Sequence, residues 1–400
     1  MIDITTQRAF EELCCLCEKQ PFLAIDTEFI RERTFYPKLA LVQIAWPDSE
    51  PILIDPLEIS DWSPLHRILM NEDIIKVFHA GRQDIEIFYL QMGTIPVNIY
   101  DTQIAASFLG HGEQIGYGNL VLKILGLEIQ KGDSYTNWLK RPLTANQISY
   151  ARNDVLYLVP AYEKLIQNAE QCGRTSWIKQ EIESIYSDNL YDPDEEDLWK
   201  KVKKSNSLRQ IKLSVLQELS IWRYHVAKQM DKPVRFIVRD EVLISISHRQ
   251  QLKEDGIEQI RGFPQAFRKQ FGKGLVDAFE RGRNKPSDQW PRQTDRPTKY
   301  ADHIEIIAEL AWVLVKETAA KENLAPSLFL SKKQLSPLVA SAIAGKLDNL
   351  EILHGWRQEI IGSKLKALLE GELALLVKDG QLAFLPFNQE SDAPIGWESS

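Results

Sequence analysis

Three short apolar runs close together near the start of the chain, at 22–29, 39–46 and 51–54, are each bounded by charge or proline. Runs of this kind read as consecutive strands of one sheet, and 74–78 supplies a fourth. The apolar period then lengthens. Ile85, Phe88 and Tyr89 fall at helical spacing within 82–92, and 117–125 and 145–169 continue as helices, the last capped by Thr144. A helical pattern also precedes the first strand. The expected beginning is therefore an α/β unit, a sheet flanked by helices.

At 400 residues the chain exceeds one ordinary core and divides into two or three domains. The acidic stretch 187–197 and the polar, three-proline stretch 284–299 mark the connectors. Three units follow: 1–185, 205–283 and 300–388, the second and third helical, with a polar tail. Charge separates the same units. Residues 1–200 hold 17 Lys and Arg against 31 Asp and Glu, residues 201–300 hold 22 against 11, and residues 301–400 hold 9 against 14. A basic middle beside an acid-rich beginning suits a polyanion-binding module attached to a carboxylate-based catalytic one. No apolar run approaches a membrane span and the first residues lack signal-peptide organisation, so a cytoplasmic address without membrane attachment is expected. Cys14 and Cys17 have CxxC spacing but no second pair to complete a zinc site; with Cys15 and Cys172 they are expected to be free thiols. No phosphate-binding loop for a nucleotide cofactor is present.

The chemistry sits in three places. Asp26 and Glu28, two apart on a strand, project from one side of the sheet, and Tyr150 and Asp154, four apart on a helix, share one face. Asp84 lies near a helix start. Bringing four carboxylates together is unfavourable without cations, since unit charges 4 Å apart repel by about 4 kcal/mol at an effective dielectric of 20. Hard oxygen ligands without His or Cys select Mg²⁺ or Mn²⁺, and two such ions are the usual apparatus for attack on a phosphodiester.

Five segments carry a family resemblance: FLAIDTEF at 22–29, LVQIA at 41–45, HAGRQDIEIF at 79–88, YDTQIAASFLG at 100–110 and WLKRPLTANQISYARNDVLYL at 138–158. In these the chain resembles the ribonuclease D family of DEDD-superfamily 3′ to 5′ exonucleases, whose fold is ribonuclease H-like. The resemblance implies that Asp26, Glu28, Asp84 and Asp154 bind two divalent cations, Mg²⁺ or Mn²⁺. Tyr150, in the Tyr-x-x-x-Asp pattern of the tyrosine branch, would orient or help deprotonate the attacking water. His79 and Asp84 happen to have the spacing of the histidine branch, but motif order excludes that assignment. The implied activity is two-metal-ion exoribonuclease action releasing 5′-mononucleotides, with RNA, in particular the 3′ ends of precursor tRNA, as substrate. Gln43, His79, Gln83 and Arg141 are the expected substrate contacts. A DNA exonuclease of the same branch and a non-catalytic RNA-binding scaffold are the alternatives. Asn137 stands where the family often has Asp.

The basic middle, LSIWRYHVAKQMDKPVRFIVRDEVLISIS at 219–247 with IRGFPQAFRKQFGKGL at 260–275, is similar to the helicase and RNase D C-terminal (HRDC) domain, a nucleic-acid-binding helical bundle. There Trp222 and Leu243 are expected in the core, and Arg223, Arg235, Lys269 and Lys273 on phosphates. GWRQEIIGSKL at 355–365 resembles a second such domain. Its acidic surroundings imply packing rather than RNA contact, with Trp356 buried.

Overall fold

The computed structural model of the protein describes residues 1–129, 136–187, 190–293, 300–346 and 351–387. Parts of both expected connectors, 188–189 and 294–299, and the polar tail from 388 lie outside the described residues.

After α1 (Gln7–Cys17), the sheet is built from β1 (Phe22–Ile30), β2 (Lys38–Ala45), β3 (Ile52–Ile54), β4 (Ile75–Phe78) and β5 (Ile99–Asp101) in the order β3-β2-β1-β4-β5. The first three strands pair antiparallel through short loops. β4 and β5 pair parallel, each reached by a helical crossover: α2 (Ser63–Leu69) before β4 and α3 (Arg82–Met92) before β5. The expected four strands are all present. β5 is the fifth, and its three residues are too few to show a period.

Then come α4 (Thr102–Phe108), α5 (Tyr117–Leu125), α6 (Ala145–Leu156), α7 (Leu158–Gln171) and α8 (Thr175–Ile185). The single helix expected over 145–169 breaks at Tyr157. Pro160 explains the break: it has no amide for the Leu156 carbonyl, and its ring crowds that carbonyl. One sheet face, with Leu23, Ile25, Val42 and Ile44, packs on Phe10, Ile68, Ile85 and Phe88 of α1, α2 and α3. The opposite face, with Ala24 and Ala45, packs on Val155, Leu158 and Tyr162. This second face also carries Asp26 and Glu28, so α6 lies directly across from them.

The middle unit contains α9 (Gln210–Met230), α10 (Val234–Ile237), α11 (Asp240–Ser247) and α12 (Gln265–Asn284) around Trp222, Leu243, Leu275 and Phe279. Its core also takes in Trp199 and Val202, upstream of the expected boundary at 205. Asp231, left-handed at the end of α9 (φ 46°), accepts hydrogen bonds from the amides of Phe35 (3.0 Å) and Tyr36 (3.1 Å), so the middle unit grips the β1–β2 loop.

The last unit comprises α13 (Asp302–Lys321), α14 (Lys332–Ile343) and α15 (Ser363–Leu369), with a π-helical turn at Gln358–Gly362. It adds to the expected helices a hairpin of β6 (Leu373–Lys378) and β7 (Gln381–Pro386). Asp379 and Gly380, both at positive φ, form its two-residue turn. Its apolar core is shared with the first unit: Phe108 of α4 and Ile178 and Ile182 of α8 join Ala311, Val315, Leu335 and Trp356 in one cluster. Among the described residues no helix is long and apolar enough to cross a membrane.

Candidate active site

β1 presents Asp26 and Glu28 toward α6, and α6 presents Tyr150 and Asp154 back. A reciprocal cap, in which Thr144 and Gln147 satisfy each other's backbone amides, fixes where α6 starts and so where those two side chains lie. One carboxylate oxygen each from Asp26, Glu28 and Asp154 falls within 4.8 Å of the others. Asp84, in the first turn of α3, is held beside this group: its Oδ1 accepts from the Thr27 amide at 3.1 Å and from the Thr27 hydroxyl. Thr27 points to the apolar side of β1, where a polar residue needs a partner, and Asp84 is that partner. A β-bulge between Glu28 and Phe29 ends the regular register beside the site.

The carboxyl groups strain one another electrostatically. Burial, then Asp84, Asp154 and Glu28, push Asp26 well above the usual carboxylate range. Burial, then Asp154 and Asp84, raise Glu28 to about 9. Asp154 rises to about 7 through burial and then Asp84, with the Tyr150 hydroxyl bond opposing. Asp84 rises to about 7 through burial, against the Thr27 hydrogen bonds. The Tyr150 phenol is itself pushed up by burial and by Asp154, so it is a neutral donor to that carboxylate. An all-oxygen donor set this close, with this much unrelieved repulsion, fits hard divalent cations.

The group opens into a groove of about 970 Å³ whose wall includes Arg31, Arg33, Lys38, His79, Gln83, Tyr117 and Asn137. Gln83 is exposed there. His79 is half-buried, its Nδ1 3.0 Å from the Thr102 hydroxyl, and the loss of solvent around its ring lowers its pKa. Two expected substrate contacts do not reach the groove. Gln43 pairs with Asp26 across the strands but has 0% exposure beneath α6, so it cannot touch a ligand in the groove. Arg141 is bound twice to Asp55, at 2.6 and 2.7 Å, and also to the carbonyls of Trp138 and Ala40, and so staples the loop before α6 to the sheet. In the middle unit, Arg223 is likewise no phosphate contact: it is 5% exposed and paired with Asp240 at 2.7 Å. The groove cations Arg31, Arg33 and Lys38 went unread in the sequence because they lie in a charged strand end and loop without period. Arg31 is also ion-paired with Glu86, at 2.6 Å.

Residues 1–170 match a family model described as 3′-5′ exonuclease, and residues 212–278 match the HRDC domain. Ribonuclease D of Sphingobium indicum is 35% identical over 382 residues, covering 95% of this chain and 97% of that one. Ribonuclease D of Zymomonas mobilis is 35% identical, covering 97% and 98%. The crystal structure of Escherichia coli RNase D, described as an exoribonuclease involved in structured RNA processing, superposes with a TM-score of 0.80 at 32% identity, covering 93% of this chain and 99% of that one. A structure from Bifidobacterium adolescentis shares the fold, with a TM-score of 0.68 at 20% identity. With identity above 30% running almost end to end in both partners, across the exonuclease and HRDC units alike, the chain belongs to the ribonuclease D family.

Proposed function

We propose that the protein is a 3′ to 5′ exoribonuclease that removes 5′-mononucleotides one at a time, with Asp26, Glu28, Asp84, Tyr150 and Asp154 as its catalytic set. The observation that carries this reading is the convergence of Asp26, Glu28 and Asp154, with Asp84 tethered alongside, at the floor of a groove walled by cations. Asp26, Glu28 and Asp154 would hold one divalent cation, and Asp26 with Asp84 a second, Mg²⁺ or Mn²⁺. Bound there, such ions supply the attacking hydroxide and stabilise the attacking and leaving oxygens. Tyr150, a neutral phenol on the rim, is suited to donate to the attacking water or a phosphate oxygen rather than to remove a proton. His79 and Gln83, which line the groove, would contact the terminal nucleotide. The division into an exonuclease unit at 1–185, an HRDC unit at 205–283 and a helical unit at 300–388 belongs to the same reading, as do a cytoplasmic location and precursor tRNA 3′ ends as the RNA trimmed.

Digestion of 3′-labelled RNA and DNA side by side, with Mg²⁺, Mn²⁺ or EDTA, tests the reaction. Metal-dependent mononucleotide release from RNA is expected; release from DNA alone would make the enzyme a deoxyribonuclease, and release from neither would leave a scaffold.

The upstream RNA needs a path out of the groove. Arg31 lines both the groove and a cleft between the first two units, which contains Arg82, Lys201, Lys228 and Val234. One residue beyond Val234, a hollow of about 780 Å³ is lined by Lys203, Arg235, Phe236 and Arg239. Phe236 is 55% exposed, an unusual setting for a Phe and a suitable platform for base stacking. Phe236→Ala is expected to weaken single-stranded RNA binding by about 1–3 kcal/mol. Arg239→Ala should lower the slope of log affinity against log salt by about 1. Fluorescence anisotropy across a salt series measures both, and unchanged binding in both variants would remove this surface from the RNA path.

A further inference from the structure

The turn that delivers Asp84 is an awkward one. Ala80 has φ 54°, and Gly81 lies so close to Phe78 that a Cβ there would come within 2.4 Å of the Phe78 Cβ. A turn of this kind holds its shape only if something else fixes it. Asp101, at the end of β5 and 1% exposed, does so with both carboxylate oxygens. Oδ1 accepts from the amides of Ala80 (3.1 Å), Gln103 (2.8 Å) and Ile104 (3.4 Å), and Oδ2 accepts from the Gly81 amide at 3.0 Å.

The fifth donor comes from outside the sheet. Tyr186, the residue just past α8, donates its hydroxyl to Asp101 Oδ2 at 2.6 Å. α8 is in turn clamped by the last unit. Buried Glu181 accepts from Arg357 on both oxygens, at 2.9 and 3.0 Å, and from the Trp356 indole at 3.0 Å. Gln180 accepts from the Trp356 amide at 3.1 Å. An unbroken chain of hydrogen bonds and one rigid helix thus links Arg357 to the turn that carries Asp84.

We propose that Tyr186 and Asp101 are positioning residues for Asp84, and that the last unit, through Glu181 and α8, sets where that carboxylate stands. The inference rests on the reading of Asp84 as a cation ligand. It gives the acidic last unit a part in the reaction without any contact to RNA. Asp84 is doubly tethered, by Thr27 directly and by the Asp101 turn from behind, and only the second tether passes through the last unit.

Tyr186→Phe in the full chain removes one hydroxyl and little else. Three readouts apply: Mn²⁺ binding by calorimetry, amide hydrogen exchange at Ala80 and Gly81 in the metal-free protein, and steady-state kinetics on a short 3′-labelled RNA. The expected result is Mn²⁺ affinity and kcat each about tenfold lower, the scale for loss of an outer hydrogen-bond partner at a metal site. Exchange at Ala80 and Gly81 should be faster and KM for RNA unchanged. Glu181→Gln, one step further out, should move the same quantities in the same direction by less. A Tyr186→Phe protein with wild-type exchange, Mn²⁺ affinity and kcat would overturn the inference, as would one that only melts earlier. If the wild-type chain itself binds no Mn²⁺, the reading of the acidic cluster falls first and this inference falls with it.

Discussion

Replacing Asp26 by Asn is expected to abolish catalysis and, in the absence of divalent cations, to make the protein more stable. Asp26 faces Asp84, Asp154 and Glu28 at once. Losing it should remove several kcal/mol of metal-borne transition-state stabilisation, a fall in kcat of at least about a thousandfold. The gain in stability follows from the same geometry. In the folded, metal-free protein Glu28 titrates at about 9 and Asp84 and Asp154 at about 7, against ordinary values of 4.5 and 3.8. Between those limits the folded chain holds protons that the unfolded chain has released, so stability falls as pH rises from about 4 through 7 to 9. Asn at position 26 takes one charge out of that repulsion. Its melting temperature near pH 8 with EDTA should exceed that of the wild type by about 2–4 °C for each kcal/mol relieved. Mn²⁺ should raise the melting temperature of the wild type, most strongly at high pH where protons compete least, and barely raise that of the variant. Thermal denaturation with and without Mn²⁺ at pH 5 and pH 8 measures all of this. A less stable variant in EDTA at pH 8, or one with full activity, would contradict the assignment.

The second large effect is expected far from the acids. Arg223 and Asp240 form an ion pair in the middle unit with both side chains 6% exposed; the Arg223 guanidinium also donates to the Val238 carbonyl and the Asp240 carboxylate accepts from the Lys203 amide. Arg223→Met leaves Asp240 charged and buried without its main partner, at a cost of about 3–5 kcal/mol. Substituting Asp240→Leu as well should recover most of that loss, because an apolar pair no longer strands a charge. Urea unfolding followed by tryptophan fluorescence reads the change, with Trp222 in the same core. RNA affinity of the folded variant should be unchanged, whereas a variant of normal stability with weakened RNA binding would restore Arg223 to the surface role the sequence suggested.

That reversal shows where sequence reading worked and where it stopped. Period two on β1 and period four on α6 were enough to pair Asp26 with Glu28 and Tyr150 with Asp154, because side-chain direction in regular structure follows from spacing alone. Gln43 was misplaced because the sequence gives its strand but not its depth: only the packing of α6 over β2 shows that it is sealed. Arg141 and Arg223 were misread because a cation bound for a buried carboxylate is spelled like one bound for a phosphate, and their partners lie 86 and 17 positions away. The role of Asp101 was legible in part, because an Asp followed by Thr just before a helical run is a capping signal, and Asp101 does cap α4; its hold on the Ala80–Gly81 turn leaves no local mark. The hairpin β6–β7 was legible in its Asp-Gly turn and was passed over in a unit read as helical.

The apolar seam between the first and last units also has a consequence for how this chain is made. Phe108, Ile178 and Ile182 leave the ribosome more than a hundred residues ahead of Ala311, Val315 and Leu335, the side chains that cover them. At roughly 5–20 residues per second, that greasy face stays wet for several seconds while the entire middle unit is translated. Nascent chains therefore pass through a stage in which the nuclease half is built but unshielded, a natural point for chaperone capture.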